Sequence, residues 1–402
     1  MADLKLKVFR YNPNSLVFVE GATSVNNFFI IKEGEARILR DVEISDNPQD
    51  NVLKTGDYFG VVACMSKRPR LETIKAMTTL SLISVEYDNF VDLIKNNKTV
   101  ALKILKLYST RLRNFDEAIA RISLKKPSSS NPEELFNIAM YYYSNREFLQ
   151  SRYAFKKFIQ HCPVSENLAK ASEYLSKLDG LVKEERSYIQ ESPLMRKYLD
   201  KAILFCENEP GEDVFIVQSG KIKITKVLGE QEVLLAVLNP GDIVGEMALI
   251  ENKPRSANAI AFGDVKVMVI NKQNFQLMVQ NRPEITLKII QLLSERIWVA
   301  YRQLENLAMP DEYGRLVDHL LIQIQKLRVT VEPRKEYKFD FGVDELLTMA
   351  GFDREKGYSH IRRLFEDPNY KLMEGKIVVE DVDELQKQVN IFRKKIKKDF
   401  FA

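Results

Sequence analysis

Residues 241–257 read GDIVGEMALIENKPRSA, and residues 56–72 read GDYFGVVACMSKRPRLE. The two stretches align without a gap at a separation of 185 residues, and they share a Gly-Asp pair, a second glycine, an alanine and a Pro-Arg pair. Upstream, FFIIKEGEARI at 28–38 parallels VFIVQSGKIKI at 214–224. Internal similarity at a fixed separation indicates a repeated structural unit. The sequence therefore predicts two copies of one domain.

Each copy begins with short β patterns. In the second copy, Val214–Val217 and Ile222–Lys226 are apolar or alternating segments separated by Ser219-Gly220, which predicts a hairpin. Val233–Leu238 precedes a turn and is predicted as a further strand, and Val265–Ile270 is predicted as the last one. We expect each copy to be a compact, jelly-roll-like β-roll followed by helices, so the fold class is α+β.

The helices that follow the two rolls carry a heptad pattern. Their apolar residues step alternately by three and four, as in a coiled-coil seam. These residues are Ala101, Leu105, Tyr108, Leu112, Phe115, Ile119 and Ile122 in the first copy, and Ile290, Leu293, Ile297, Ala300, Leu304 and Leu307 in the second. We expect a homodimer paired through Ile290–Leu307. The alternatives are a pseudo-dimer of the two copies within one chain, and a helix that simply lies on its own barrel.

A helical insert is predicted between the copies. A linker, Lys125–Pro132, precedes a helical block that continues to about residue 190, with Ala169–Leu178 as its last helix. One tetratricopeptide repeat is matched at Leu135, Ile138, Ala139, Tyr142, Phe148, Phe155 and Pro163. A single repeat cannot bury its apolar face unaided, so we expect it to pack on a barrel. A rigid spacer and a peptide-binding module both remain open.

The stretch 245–257 of the second copy, here called the cassette, has the chemistry of a site for an anion that carries hydroxyl groups. Gly245 permits close approach of the backbone to a ligand. Glu246–Ile250 is predicted as a short helix whose first amides face the anion. Arg255 can form a charge-assisted bond to a phosphate, and Ser256 adds a further donor. A carboxylate repels phosphate, so Glu246 is assigned to a sugar hydroxyl.

The cassette resembles the phosphate-binding cassette of cyclic nucleotide-binding domains, as in the CRP/FNR transcription regulators. The resemblance implies that Glu246 binds the ribose 2′-hydroxyl and that Arg255 and Ser256 bind the cyclic phosphate. Tyr301, on the long helix, lies where the family has an adenine-contacting Thr-Ser pair, and can stack on or hydrogen-bond to the base. The predicted binding residues are Val244, Gly245, Glu246, Met247, Ala248, Arg255, Ser256, Ala257, Arg296 and Tyr301. Because the family most often binds cAMP, cAMP is favoured over cGMP.

The first copy departs from this pattern. Val61 replaces the ribose-binding carboxylate, while Leu71 and Glu72 replace the small residues at the phosphate. A carboxylate near a poorly solvated phosphate is strongly unfavourable. Arg70 is retained, and Glu72 is its expected partner. We predict that the first copy binds no cyclic nucleotide in the usual way and serves as a structural or dimerisation module.

The last ninety residues predict a further domain. Asn306–Val317 resembles the hinge and first helix of the DNA-binding domain in CRP-like regulators. Helices at Val343–Ala350 and Arg354–Asp367, followed by a hairpin at Lys371–Val379, predict a winged helix-turn-helix. Tyr358, Ile361 and Phe365 are predicted as the buried stripe of the second helix. Its DNA-contacting residues are predicted to be Arg354, Lys356, Ser359, His360, Arg362 and Arg363.

Composition and charge limit the function. The three cysteines and three histidines form no disulfide or metal-ligand pattern, and no nucleophile–base pair appears, so neither a cofactor nor an enzyme is predicted. No apolar leader or membrane-length apolar run occurs, which favours the cytoplasm and no membrane partner. The net charge of +4 does not by itself indicate DNA, and from position 310 onward 18 basic residues face 18 acidic ones.

The preferred interpretation is a cyclic nucleotide-responsive, DNA-binding transcription regulator. Its domains are predicted as a degenerate first copy at 1–125, a linker and helical repeat at 126–190, a binding copy with its long helix at 191–309, and a winged helix-turn-helix with a basic tail at 310–402. The alternative is a nucleotide-regulated signalling adaptor that does not bind DNA and uses its C-terminal domain for protein contacts.

Overall fold

The structure is a computed structural model of the 402-residue chain. It describes residues 7–40, 51–124, 131–182, 188–228, 231–352 and 354–400. The chain divides into two compact units, one ending at Trp298 and the other beginning at Val299. Among the described residues, no helix combines the length and the apolar composition needed to cross a bilayer.

The first copy is an antiparallel β-roll followed by helices. Its strands are β1 (Lys7–Tyr11), β2 (Leu16–Phe18), β3 (Asn27–Glu33), β4 (Ala36–Leu39), β5 (Val52–Leu53), β6 (Tyr58–Phe59), β7 (Thr73–Ala76) and β8 (Leu80–Glu86). They form two four-stranded sheets in the orders β1-β8-β3-β6 and β2-β7-β4-β5. The sheets bury Phe29, Ile31 and Leu82 against Ile74 and Ala76. The helices are α1 (Val61–Ser66), α2 (Tyr87–Asn96) and α3 (Lys98–Leu124).

The second copy repeats this arrangement with longer strands. They are β9 (Ile189–Ser192), β10 (Met195–Tyr198), β11 (Ile203–Phe205), β12 (Asp213–Leu228), β13 (Gln231–Leu238), β14 (Ile243–Val244) and β15 (Asn258–Asn271). The main sheet has the order β13-β12-β15-β10-β9, with β11 paired to β15 and β14 to β12. The helices are α7 (Glu246–Glu251), α8 (Lys272–Asn281) and α9 (Pro283–Leu307).

The hairpin predicted at Ser219-Gly220 is wrong. The residues on both sides belong to one strand, β12, whose register against β15 shifts at Ser219. Gly220 has a φ of +79°, and a Cβ there would lie 2.2 Å from the carbonyl oxygen of Asp264. Gly34 occupies the same kind of position in the first copy, with a Cβ placed 2.3 Å from the Thr79 carbonyl oxygen. The Ser-Gly pair therefore marks a bend at which β12 lies very close to the backbone of β15. Such a bend requires glycine, as a tight turn does, because the backbone has a positive φ and there is no room for a Cβ.

The insert forms three helices that pack on the second barrel. They are α4 (Glu134–Ser144), α5 (Phe148–His161) and α6 (Leu168–Asp179). Phe155 and Phe158 are fully buried, and their apolar cluster continues into Ile203, Val227 and Ile260 of the barrel. The Tyr142 hydroxyl also donates to Glu232 at 3.0 Å. The expected packing on a barrel is present, and it uses the apolar face that an isolated repeat would expose.

The two long helices contact each other within one chain, where Tyr108 of α3 lies beside Ser294 of α9. The seam residues Leu105, Leu112, Ile290 and Leu293 are at most 2% exposed. From α9, the Trp298 indole donates to the Pro69 carbonyl oxygen at 3.2 Å, in the first copy. These seam residues are therefore buried by their own chain, and the homodimer and the intrachain pseudo-dimer both stay predictions.

In the part of the chain that the structure describes, the second unit contains the end of α9, four further helices and a three-stranded sheet. The elements are α10 (Glu312–Lys326), β16 (Tyr337–Lys338), α11 (Val343–Met349), α12 (Arg354–Glu366), β17 (Tyr370–Met373), β18 (Lys376–Val379) and α13 (Val382–Phe400). The strand order is β16-β18-β17. The core joins Leu316, Leu346, Leu364, Ile377 and Leu385. The helix pair and the hairpin predicted here are both present.

The predicted buried stripe of α12 is wrong at one position. Tyr358 is 45% exposed, and its hydroxyl donates to Asp344 at 2.7 Å. Gly357, Ile361 and Leu364 face the core instead. A Cβ at Gly357 would lie 2.5 Å from Leu347 Cδ2, so the glycine lets α12 approach α11 closely.

Truncation of Phe155 tests the docking of the insert. We expect Phe155→Ala to lower the free energy of unfolding by about 3–5 kcal/mol, because it removes a fully buried ring from the cluster. The control is Val164→Ala, at a residue that is 95% exposed, with an expected change below about 0.5 kcal/mol. Urea unfolding of the full chain measures both. Equal effects of the two variants would contradict this packing.

Candidate functional site

Gly245 sets the geometry of the cassette. It precedes α7 with a φ of +89°, and a Cβ there would lie 2.4 Å from Nη1 of Arg255. Glycine is therefore required both by the left-handed backbone and by the close approach of the guanidinium. The next residue, Glu246, is completely buried. The cassette thus brings a carboxylate and a guanidinium together at one end of α7.

Arg255 is held by backbone carbonyl groups. Its Nη1 donates to the carbonyl oxygen of Gly245 and its Nη2 to that of Asp213, both at 2.8 Å. The guanidinium also lies over the ring of Phe205, 4.2 Å from the centroid. Burial lowers the pKa of this group, and its Nε has no hydrogen-bond partner among the described residues. Because a guanidinium has five N–H donors, an anion can bind without displacing both carbonyl contacts.

Glu246 pairs with an arginine of the long helix. Arg296 Nη1 lies 2.7 Å from Glu246 Oε1. The second carboxylate oxygen, Oε2, is buried and has no hydrogen-bond partner among the described residues. An unsatisfied buried acceptor is costly, and a hydroxyl donor from a ligand would remove that cost. The pair therefore leaves one acceptor at the position assigned to the sugar.

One cavity collects the predicted binding residues. Nine of the ten line it, namely Val244, Gly245, Glu246, Met247, Ala248, Arg255, Ser256, Ala257 and Arg296. Its free volume is about 20 Å³, which is room for about one water molecule. A nucleotide must therefore displace side chains to enter. The tenth residue, Tyr301, is 1% exposed and belongs to the second compact unit.

Comparison with known proteins agrees with this arrangement. The family model of the cyclic nucleotide-binding domain matches residues 8–97 and again 195–282. Two regions of this chain are thus similar to the cyclic nucleotide-binding domain. Their sheets and cassettes coincide with the two copies described above.

The curated relatives are transcriptional regulators. The cyclic AMP receptor protein of Thermus thermophilus is 28% identical over 207 residues, which are 50% of this chain and 91% of that protein. The CRP-like cAMP-activated global transcriptional regulator of Mycobacterium tuberculosis is 27% identical over 153 residues, or 38% and 68% of the two chains. The cAMP-activated global transcriptional regulator CRP of Salmonella typhimurium is 27% identical over 187 residues, or 46% and 88%.

Two solved structures of regulators are also similar to parts of this chain. The c-di-GMP responsive global regulator CLP of Xanthomonas campestris is 23% identical, with a TM-score of 0.39 over 46% of this chain and 92% of its own. A transcriptional regulator of the CRP/FNR family from Thermus thermophilus is 23% identical, with a TM-score of 0.38 over 49% and 98%.

The cavity of the second domain has a lining residue that could not be recognised from the cassette sequence. Asp116 comes from α3, the helix that follows the first domain, and lines the cavity together with Glu246 and Arg296. It is 5% exposed. Burial raises the pKa of Asp116 to about 6, against the opposing effect of Arg296 and other cations. The repeat could have revealed it, since a shift of 185 residues places Asp116 on Tyr301.

Helix α3 also holds the far end of α7. The Ser109 hydroxyl donates to Glu251 Oε1 at 2.7 Å. Arg113 donates to Glu251 Oε2 and to the carbonyl oxygen of Pro254, both at 3.2 Å. The Glu251 side chain is only 1% exposed. These contacts fix the segment that leads from α7 to Arg255.

The corresponding site of the first domain is filled by its own side chains. Glu72 is buried between Arg40 at 2.9 Å and Arg111 at 2.7 Å. Burial alone would raise the pKa of Glu72, but Arg111 and Arg40 together lower it to about 2. The expected pairing of Glu72 with Arg70 is therefore wrong. Arg70 instead donates to the carbonyl oxygens of Gly60, Ser24 and Asn27.

The predicted DNA-contacting residues of α12 have different surroundings. Ser359, Arg362 and Arg363 are exposed, whereas His360 is partly buried and lies 3.0 Å from Glu312. The guanidinium of Arg363 stacks over Tyr313 at 4.0 Å. The side chains of Arg354 and Lys356 lie outside the described part of the chain. In the basic tail, Arg393 pairs with the buried Asp318, so this arginine is a structural residue.

Substitution of Glu72 tests the filled site. We expect Glu72→Gln to destabilise the chain by about 3–5 kcal/mol at pH 7, because two arginines lose a buried counter-ion. The folded pKa is depressed, so the stabilisation is present above the unfolded pKa of about 4.3 and is lost as the pH falls towards 2. The difference in the free energy of unfolding between wild type and variant should therefore become smaller as the pH falls across this range.

The control for this comparison is Glu86→Gln, since the pair of Glu86 with Lys7 is exposed. Unfolding midpoints of the three proteins between pH 7 and pH 3 provide the measurement. A gap that stays constant with pH would contradict the ionised state assigned to Glu72.

Proposed function

We propose that this chain is a transcription regulator that binds a cyclic nucleotide in its second domain. The observation that carries the proposal is the cavity in which Glu246, Arg255, Ser256 and Arg296 meet. The unpartnered Oε2 of Glu246 accepts a ribose hydroxyl. Arg255 and Ser256 bind the cyclic phosphate through charge-assisted and hydroxyl contacts. cAMP is the first candidate for the ligand, because the curated relatives are named as a cyclic AMP receptor protein and as cAMP-activated regulators.

The first domain has a supporting role in this proposal. Glu72 already neutralises Arg40 and Arg111, and Val61 offers no acceptor for a sugar hydroxyl. A phosphate bound here would be repelled by the buried Glu72 carboxylate, and the two arginines beside it are already paired with that carboxylate. The first domain therefore binds no nucleotide in the usual way, and the chain has one nucleotide site.

The signal passes along α9. Arg296 contacts the cassette from this helix, which continues to Leu307, and α10 begins shortly afterwards at Glu312. A ribose hydroxyl on Oε2 makes Glu246 a shared partner of the nucleotide and Arg296, and so alters the contact that anchors α9. Such a change is the differential contact that a two-state coupling between ligand and DNA requires.

DNA is bound by the C-terminal unit, which acts as a winged helix-turn-helix. Its α11 and α12 form the helix pair, and the β17–β18 hairpin forms the wing. Arg362 and Ser359 are exposed on α12 and contact phosphates or base edges. The rival function is a protein-binding adaptor. It is favoured by the contacts of His360 with Glu312 and of Arg363 with Tyr313. These contacts engage two of the α12 side chains that were predicted to bind DNA.

Calorimetric titration with cAMP and with cGMP tests the ligand site. We expect one site per chain, and Arg255→Ala should lower the affinity about 100-fold, because it removes charge-assisted bonds to the phosphate. The matched control is Arg70→Ala, the same change at the repeat position of the first domain. Equal loss of affinity in the two variants would contradict the assignment of the site to the second domain.

Gel shifts on genomic fragments test DNA binding. We expect saturating cyclic nucleotide to change the DNA affinity at fixed salt. Arg362→Ala should weaken binding and reduce the slope of log affinity against log salt by about 0.9, the loss of one phosphate contact. Lys177→Ala, an exposed charge removal in the insert, is the control. Absence of any shift at low salt, with or without nucleotide, would favour the adaptor.

A further inference from the structure

The insert reaches the loop beside the cassette through polar contacts as well as apolar ones. From α5, the Tyr153 hydroxyl lies 3.4 Å and 3.3 Å from the two carboxylate oxygens of Glu209. Lys157 Nζ, one turn further along α5, lies 3.9 Å from Glu209 Oε1. Glu209 is 5% exposed, and its Oε2 also accepts from the Cys206 amide at 3.1 Å. Burial raises the pKa of Tyr153, so the phenol stays protonated and donates to the carboxylate.

The backbone of the same loop is paired with the arginine assigned to the phosphate. The Asn208 amide donates to the Arg255 carbonyl oxygen, and the Arg255 amide donates to the Glu209 carbonyl oxygen, both at 2.9 Å. The negative charge of Glu209 also opposes the effect of burial on the pKa of Arg255, so the two charges interact. The Nη atoms of Arg255 donate to backbone carbonyl groups, and its Nε has no partner among the described residues. The carboxylate is therefore near the guanidinium but is bonded to the insert.

The first domain has the same backbone pairing without the carboxylate. There the Gly21 amide donates to the Arg70 carbonyl oxygen at 2.8 Å, and the Arg70 amide donates to the Ala22 carbonyl oxygen at 2.9 Å. Ala22 thus stands where the second domain has Glu209. The pairing itself does not require an acidic side chain, and the acid occurs in the domain on which the insert packs. The carboxylate therefore belongs to the contact between the insert and the loop.

We propose that the insert sets the nucleotide affinity of the second domain by holding Glu209 away from Arg255. This inference rests on the proposed function of the second domain. Tyr153 and Lys157 are positioning residues, since both lie outside the cavity that Arg255 lines. While the carboxylate is bonded to the insert, the Nε of Arg255 is available to the cyclic phosphate. Without these contacts the carboxylate pairs with the guanidinium and competes with the phosphate for the same positive charge.

This role differs from that of a rigid spacer. A spacer would leave the nucleotide affinity unchanged when one polar contact of the insert is lost. In the proposed arrangement, any change that loosens α5 from Glu209 weakens phosphate binding. The nucleotide site thereby responds to the state of the insert, and by linkage the nucleotide stabilises the docking of the insert on the barrel.

Calorimetric titration of the full chain with cAMP and cGMP tests the two positioning residues. Burial raises the pKa of Glu209, so the titration is made at pH 8 to keep its carboxylate ionised. Tyr153→Phe keeps the ring and removes the hydroxyl, while Lys157→Met removes the cation. We expect each variant to lower the affinity about 3- to 10-fold, because the carboxylate is released towards Arg255. Lys157→Arg keeps the charge and should stay within about twofold of the wild type.

Substitution of Glu209 separates this route from a loss of packing. Glu209→Gln keeps an acceptor for Tyr153 and for the Cys206 amide, but it has no charge that competes with the phosphate. This variant should bind nucleotide at least as tightly as the wild type. In the Glu209→Gln background, Tyr153→Phe and Lys157→Met should each change the affinity by less than about twofold, since the group through which they act is gone.

The matched control is Lys156→Met, which removes an exposed cation next to Lys157 and should keep the wild-type affinity. Thermal unfolding of each variant verifies that it is folded. Wild-type affinity in both Tyr153→Phe and Lys157→Met, or equal losses with and without Glu209, would overturn the inference while nucleotide binding itself stands. Failure of the wild type to bind either nucleotide would overturn the proposed function and the inference together.

Discussion

The contact between α3 and the buried carboxylate of Glu251 is the constraint on which the geometry of the cassette depends. Ser109 and Arg113 satisfy both oxygens of this carboxylate in a place that water hardly reaches. A buried charge of this kind is tolerated only with good geometry and a partner of opposite sign. Glu251 ends the helix that begins with Glu246, so its position fixes the path to Arg255. The site of one domain is thus held in place by the helix of the other.

The two domains satisfy equivalent arginines in different ways. Arg111 in the first domain and Arg296 in the second occupy the same position of the repeat. Arg111 binds Glu72, whose Oε2 also binds Arg40. Arg296 binds Glu246, which keeps one oxygen without a partner in the described chain. A change of few side chains therefore separates a domain whose arginine shares its acidic partner with another arginine from one that leaves a buried acceptor atom unpartnered in the described chain.

Much of the fold and the cassette could be predicted from the sequence, because both depend on local patterns. The repeat predicted two β-rolls, and nine of the predicted binding residues line one cavity. Ser219-Gly220 was misinterpreted, since a turn and a sheet-crossing bend need the same glycine conformation. Asp116 was missed because its role depends on which helix crosses which barrel. The partners of Glu72 were missed for the same reason, as Arg40 and Arg111 are distant in the sequence but adjacent in space.

The pairing of α3 with α9 inside one chain changes the thermodynamics of assembly. Helices on separate chains pair in a second-order reaction, so dilution separates them. Here the insert and the linkers tether the helices, and their effective concentration is set by the chain itself. The pairing is therefore independent of how much protein is present. Because the two copies differ in sequence, they are not required to bind ligand equally. With a single competent site, as proposed, the binding curve of the chain is a simple hyperbola without cooperativity between identical sites.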